Sequence, residues 1–190
     1  MIPWSALLLP AVLSAVLVFV ASSLIHMVLR WHRSEYKTFP NEDEVRAAIG
    51  KSAPVPGKYV LPFCEDGKQM ATEEMQRKYA EGPNAVMFVR PNGPVQLGPF
   101  LGKWFAYSLV VSLVVGYVAR ATVAPGAEAV HVFQVTGAAA WLAYAWAIPS
   151  DSIWMGKSWS STFVYMLDGL IYAALTAAAF AWRWPGVAAP

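Results

Sequence analysis

Two side chains in apolar surroundings are placed to do chemistry: His26, near the end of the first hydrophobic run, and Asp168, inside the last. A carboxylate about two turns into a hydrophobic helix costs roughly 2.5–3.5 kcal/mol on insertion scales, so it should face protein or water and have a partner. An imidazole suits that role, because a carboxylate orients the ring and holds its proton. The pair could serve proton handling, line a ligand pocket, or act as a general base with its orienting group. The favoured reading is a packing device, since interhelical polar pairs commonly hold helices together at about 0.6–2 kcal/mol each. The spacing does not separate these readings.

Other chemistry finds less support. The single cysteine, Cys64, cannot form an internal disulfide, and no Cys/His spacing of the zinc type occurs. His26 and His131 raise the thought of a bis-histidine haem, but the expected topology puts them near opposite faces, about 25 Å apart by helix rise. Glu42, Asp43 and Glu44 follow Asn41 and read as the acidic first turn of a helix. No phosphate loop, nucleophile triad or metalloprotease helix is present. No catalytic residue, metal site or cofactor is therefore expected.

The elements that must position His26 and Asp168 are hydrophobic spans. With 57% hydrophobic residues, nine Trp and 14% charged residues in 190, the composition is that of an integral membrane protein. Trp4 to Leu29 carries no formal charge and makes about 39 Å of helix, enough to cross a core of about 30 Å with tilt. It lacks the basic start of a signal peptide and should remain as a helix. Trp104 to Ala119 is a second span, lengthened by Phe100 and Leu101. Ala129 to Ile148 is a third, ended by Pro149, and Thr162 to Trp182 is a fourth. The loop from Ser150 to Ser161 reads as an interfacial hairpin. In the fourth span Gly169, Ala173, Ala177 and Ala181 recur every fourth residue, a groove of small side chains where another backbone can come close. The face of Ala11, Ala15 and Ser14 on the first span is a candidate to fill it.

Between the first two spans the composition changes. Eleven of the fourteen Lys and Arg and nine of the twelve acids lie between Arg30 and Lys103, a mixed and solvated stretch rather than a nucleic-acid patch. A helix is expected after Asn41, closed by Gly50, and another between Thr72 and Gly82. Extended runs at Lys58 to Phe63 and Ala85 to Val89 should pair with each other. The expected fold is thus a mainly α membrane protein. Residues 1–30 form transmembrane helix 1, 31–99 a small α+β cytoplasmic segment, and 100–190 transmembrane helices 2 to 4.

The positive-inside rule, weighted on the basic collar at Arg30, Trp31, His32 and Arg33, places both termini in the periplasm and the large segment in the cytoplasm. The inner leaflet then holds an intramembrane polar cluster of Ser22, Ser23, His26, Tyr107, Ser108, Tyr144, Tyr165, Asp168 and Tyr172.

Several phrases carry a resemblance: Ser22-Ser23-Leu24-Ile25-His26-Met27 leading to His32-Arg33-Ser34-Glu35-Tyr36, then Pro40-Asn41-Glu42-Asp43, and Trp154-Met155-Gly156-Lys157 ahead of Tyr165 and Asp168. Over most of its length the chain resembles a group of small uncharacterised four-span bacterial inner-membrane proteins. The resemblance implies bacterial origin and topology, and it brings no activity, cofactor or catalytic residue. The expected role is a non-catalytic accessory or scaffold subunit, in contact with the lipid bilayer and with a membrane-protein partner or another copy of the chain. The alternatives are a small proton-coupled transporter or channel centred on Asp168 and His26, and a membrane enzyme using the same pair.

Overall fold

The structure, a computed structural model, describes residues 2–29 and 31–186, without the side chain of Ser34. Arg30, part of the expected collar, lies outside the described residues. The chain is mainly helical with one small sheet. It divides into two compact units, residues 1–36 with 96–190, and residues 37–95.

The first unit is a helical bundle. Helix α1 runs Trp4–Ser23 and continues as a π-helical turn, Leu24–Val28. Helices α5 (Leu97–Thr122) and α6 (Ala129–Ala145) follow the smaller unit, and a short α7 (Pro149–Met155) precedes α8 (Trp159–Trp182). Among the described residues three helical stretches, Trp4–Val28, Leu97–Thr122 and Trp159–Trp182, are long and apolar enough to cross a membrane. The expected third span is shorter than its hydrophobic run. Helix α6 stops at Ala145, and Pro149, expected to end it, instead occupies the first turn of α7. Proline lacks a donor that the first turn does not use, so it starts a helix well. The expected interfacial hairpin is therefore largely helical, closed by Gly156 in a left-handed conformation (φ 73°).

The bundle buries small and polar side chains alongside apolar ones such as Leu7, Val115 and Phe180, and turns many large aliphatic ones outward. Ser14, Ser108, Ser112, Thr136, Thr162 and Thr176 are buried, whereas Leu8, Val12, Val16, Val110, Val114, Leu142 and Leu167 are exposed. The groove of α8 is filled from within. A Cβ on Gly169 would lie 2.9 Å from Ala145 Cβ, and one on Gly137 would lie 3.3 Å from Ala177 Cβ, so α6 packs antiparallel into it. Helix α1 packs against both α8 and α5, and from its small-residue face Ser14 Oγ is hydrogen-bonded to Ser112 Oγ of α5.

The second unit holds helix α2 (Glu42–Lys51), strand β1 (Gly57–Leu61), helices α3 (Gly67–Met70) and α4 (Glu73–Glu81), and strand β2 (Ala85–Val89). The strands pair antiparallel, Gly57 opposite Val89 and Leu61 opposite Ala85, as the two extended runs suggest. Strand β1 stops before Pro62, which has no N–H for the ladder. Thr72 caps α4 by accepting from Met75 N, and Gly82 ends it at φ 64°. Helix α2 runs one residue beyond Gly50, and Asn41 makes no side-chain cap to its backbone, donating instead to the Glu44 carboxylate at 3.0 Å. Helix α3, not foreseen, is capped by Asp66, which accepts from Gln69 N. Among the described residues of this unit Met75 is the one buried hydrophobic side chain.

Candidate functional site

Three local features bring ionisable groups to one end of the bundle. The π-helical turn holds His26, with Leu29 N donating to Leu24 O at 2.9 Å, five residues back. Turns of this kind occur mostly as isolated bulges and frequently at functional sites. A single 3₁₀ turn, Arg33–Glu35, follows His32 and returns the Glu35 side chain to it. Helix α8, started by Ser158, which accepts from Ser161 N, carries Asp168 and Tyr165 to the same place.

His32 lies between two carboxylates. Its Nδ1 is 2.7 Å from Glu35 Oε1 and its Nε2 is 2.8 Å from Asp168 Oδ2. His26 stacks on it, with ring centroids 4.6 Å apart and planes inclined by 27°, and directs Nε2 to the same Asp168 oxygen at 4.0 Å. Tyr165 lies against both rings, its centroid 4.7 Å from that of His32 and 6.3 Å from that of His26, and Lys157 Nζ sits 3.9 Å over the tyrosine ring. His32 and Asp168 are buried, at 7% and 2% exposure, whereas the His26 side chain is 42% exposed. Asp168 Oδ1, also buried, has no hydrogen-bond partner among the described residues. A cavity of about 230 Å³ opens beside the imidazoles, lined by His26, Met27, Leu29, His32, Arg33 and Tyr36.

The expected cluster divides in two. His26, Tyr165 and Asp168 gather around His32. Tyr107, Tyr144 and Tyr172 gather instead around Trp104, with ring centroids 5.5, 6.4 and 6.0 Å from it. Trp104 Nε1 donates to Ser22 Oγ at 2.8 Å, tying α5 to α1, while Ser23 donates to Phe19 O within α1. Ser108 is buried and donates to Trp104 O at 3.0 Å. Tyr107, 44% exposed, donates to Ala143 O at 3.3 Å. The small residues Gly169, Ala173, Ala177 and Ala181 are all buried and serve packing. His131, in the first turn of α6, is exposed.

By its sequence neighbours His32 belongs to an interfacial collar, and Glu35 carries no expected role. The structure makes His32, not His26, the direct partner of Asp168. One signal was present: His32 and Glu35 are three residues apart, a spacing at which a single turn brings side chains together. The contact with Asp168 spans 136 positions and has no local signature.

The arrangement offers two imidazole nitrogens and one carboxylate oxygen within 4.8 Å of one another, a donor set for a cation. Comparison with protein-family models, with curated proteins and with solved structures gives no match.

Proposed function

We propose that the chain is a multi-pass protein of the bacterial inner membrane that binds and moves a small cation at the His26, His32 and Asp168 end of its bundle. The observation that carries this reading is Asp168: a buried carboxylate in an apolar helix, facing two imidazoles that border a cavity, with its second oxygen unpaired. Ionisable groups at such depth are costly and commonly mark ion pathways. Four spans fit this reading. Helix α6, of 17 residues, makes only about 26 Å of helix. Yet its antiparallel register along α8, Ala145 at Gly169 and Gly137 at Ala177, favours the same depth for both. Lys and Arg are concentrated between α1 and α5, which supports both termini in the periplasm and the large segment in the cytoplasm.

The test is flux of monovalent and divalent cations into proteoliposomes. Wild type should carry at least one, and Asp168→Asn, with unchanged helical circular dichroism, should carry none. A silent wild type across that panel contradicts the reading.

An accessory-subunit role is favoured by a different observation, the single buried hydrophobic side chain of residues 37–95. So little burial suits a segment that completes its core on a partner. A stoichiometric companion retained through mild extraction supports that role, and a lone chain or homo-oligomer counts against it.

A further inference from the structure

We infer that His26 Nε2, His32 Nε2 and Asp168 form a binding site for a divalent transition-metal ion of the zinc type, with Glu35 as the carboxylate that orients His32. The inference rests on the cation-binding reading above and names the ion class. Its ground is the donor set around Asp168: two imidazoles and a carboxylate offer ligand atoms within 4.8 Å of one another, and Asp168 Oδ1 is buried without a partner among the described residues. Both ring nitrogens of His32 face carboxylate oxygens at 2.7 and 2.8 Å, the arrangement of an imidazolium that donates to both. When the Nε2 proton leaves and the Nδ1 hydrogen stays on Glu35, the Nε2 lone pair and the Asp168 oxygen are side by side to take one metal ion in its place. A carboxylate behind a ligating histidine is the usual way that such rings are fixed.

The distances suit this. An ion bound at about 2.0–2.2 Å keeps its ligand atoms about 2.8–3.6 Å apart, from octahedral to tetrahedral geometry. The pair at 2.8 Å meets the lower end of that range, and His26, at 4.0 Å from the carboxylate, has to move inward. His26 is free to do so, since its side chain is half-exposed on a π-helical turn. Asp168 Oδ1, buried and unpartnered, is a second oxygen for the ion.

Donor type sets the class. Two imidazoles with one carboxylate favour zinc, cobalt, nickel or ferrous iron over calcium or magnesium, which take oxygen ligands. Three protein ligands leave a coordination position open, unlike a closed structural site, and a cavity opens beside two of them, His26 and His32.

The test is Co²⁺ titration of the untagged, detergent-purified full chain, followed by visible absorption and by displacement with Zn²⁺. Wild type should bind one Co²⁺ per chain and release it to Zn²⁺. Affinity should fall at least tenfold in His26→Gln and His32→Ala, and about 10–100-fold in the positioning variant Glu35→Gln. Absence of saturable binding in wild type overturns the inference, and so does binding that His26→Gln leaves unchanged. His26→Gln is decisive even where His32→Ala misfolds, because its exposed ring leaves no buried gap. Cation flux without Co²⁺ or Zn²⁺ binding removes the metal site and spares the transport reading. Stoichiometric binding without flux supports the site and removes transport.

Discussion

The two ends of the bundle are closed by different chemistry. At the end where α1 starts and α8 finishes, Phe180 is fully buried over Gly116 of α5, 3.4 Å from the place a Cβ would take, with Leu7 beside it. The chain beyond α8 is tied to the α5–α6 connection by Trp184 Nε1 donating to Ala124 O at 3.0 Å and by Gly126 N donating to Pro185 O at 2.9 Å. Arg120 lies over the Trp4 ring at 5.3 Å. At the other end the contacts between α1, the turn after it and α8 run through His26, His32, Glu35 and Asp168. The first end is closed with apolar packing, two hydrogen bonds to backbone carbonyls and one cation–π contact. The second end instead concentrates ionisable groups, and the proposed binding role accounts for them.

Variants at the two ends should separate stability from binding. The largest stability effect is expected for Phe180→Ala, about 3–5 kcal/mol by truncation of a buried aromatic ring, with Co²⁺ affinity of the folded protein unchanged. Gly169→Val is expected to cost about 1–3 kcal/mol, since its Cβ alone would meet Ala145 Cβ at 2.9 Å. Because Gly169 adjoins Asp168, this variant should also weaken binding, which breaks the separation on purpose. Asp168→Asn should change unfolding stability by no more than about 2 kcal/mol, the upper end for one interhelical polar contact, while flux is lost. Denaturation in mild detergent reads all three.

The smallest effect lies outside both ends. Lys78 Nζ, 2.6 Å from Glu74 Oε1 in α4, holds the Glu74 carboxyl below its ordinary value. A lowered folded-state value contributes stability that is present above the ordinary carboxylate range and is lost as pH falls through the lowered value. The pair is exposed, so salt should erase the effect. Helicity of the chain should fall slightly on acidification through that range at low salt, and Lys78→Gln should remove the step.

Much of the architecture was legible because its signals are local. The hydrophobic runs appear as helices, the small-residue repeat of α8 marks a close helix contact, and Thr72 and Gly82 bound α4 as their types suggest. What was not legible depends on three-dimensional choices. Apolar Ala and Trp residues continue past Ala145, so composition could not show where α6 ends. Small faces occur on both α1 and α6, and the repeat alone does not say which one enters the groove. The candidate site was half visible: the oddity of Asp168 in an apolar span pointed to it, and His26 was a reasonable partner. His32 was hidden by its neighbours, because Trp31 and Arg33 give it the look of an interfacial anchor. Its burial comes from the turn that folds it back beside α8.

The most direct test of the account is thermal unfolding of wild type and Asp168→Asn in mild detergent, each with and without Zn²⁺. Ligand binding to the folded state alone raises its stability by mass action, about 2.7 kcal/mol when the ion is at 100 times its dissociation constant. The account predicts a clear rise in Tm for wild type and none for Asp168→Asn. Equal shifts in the two proteins, or no shift in either, contradict it.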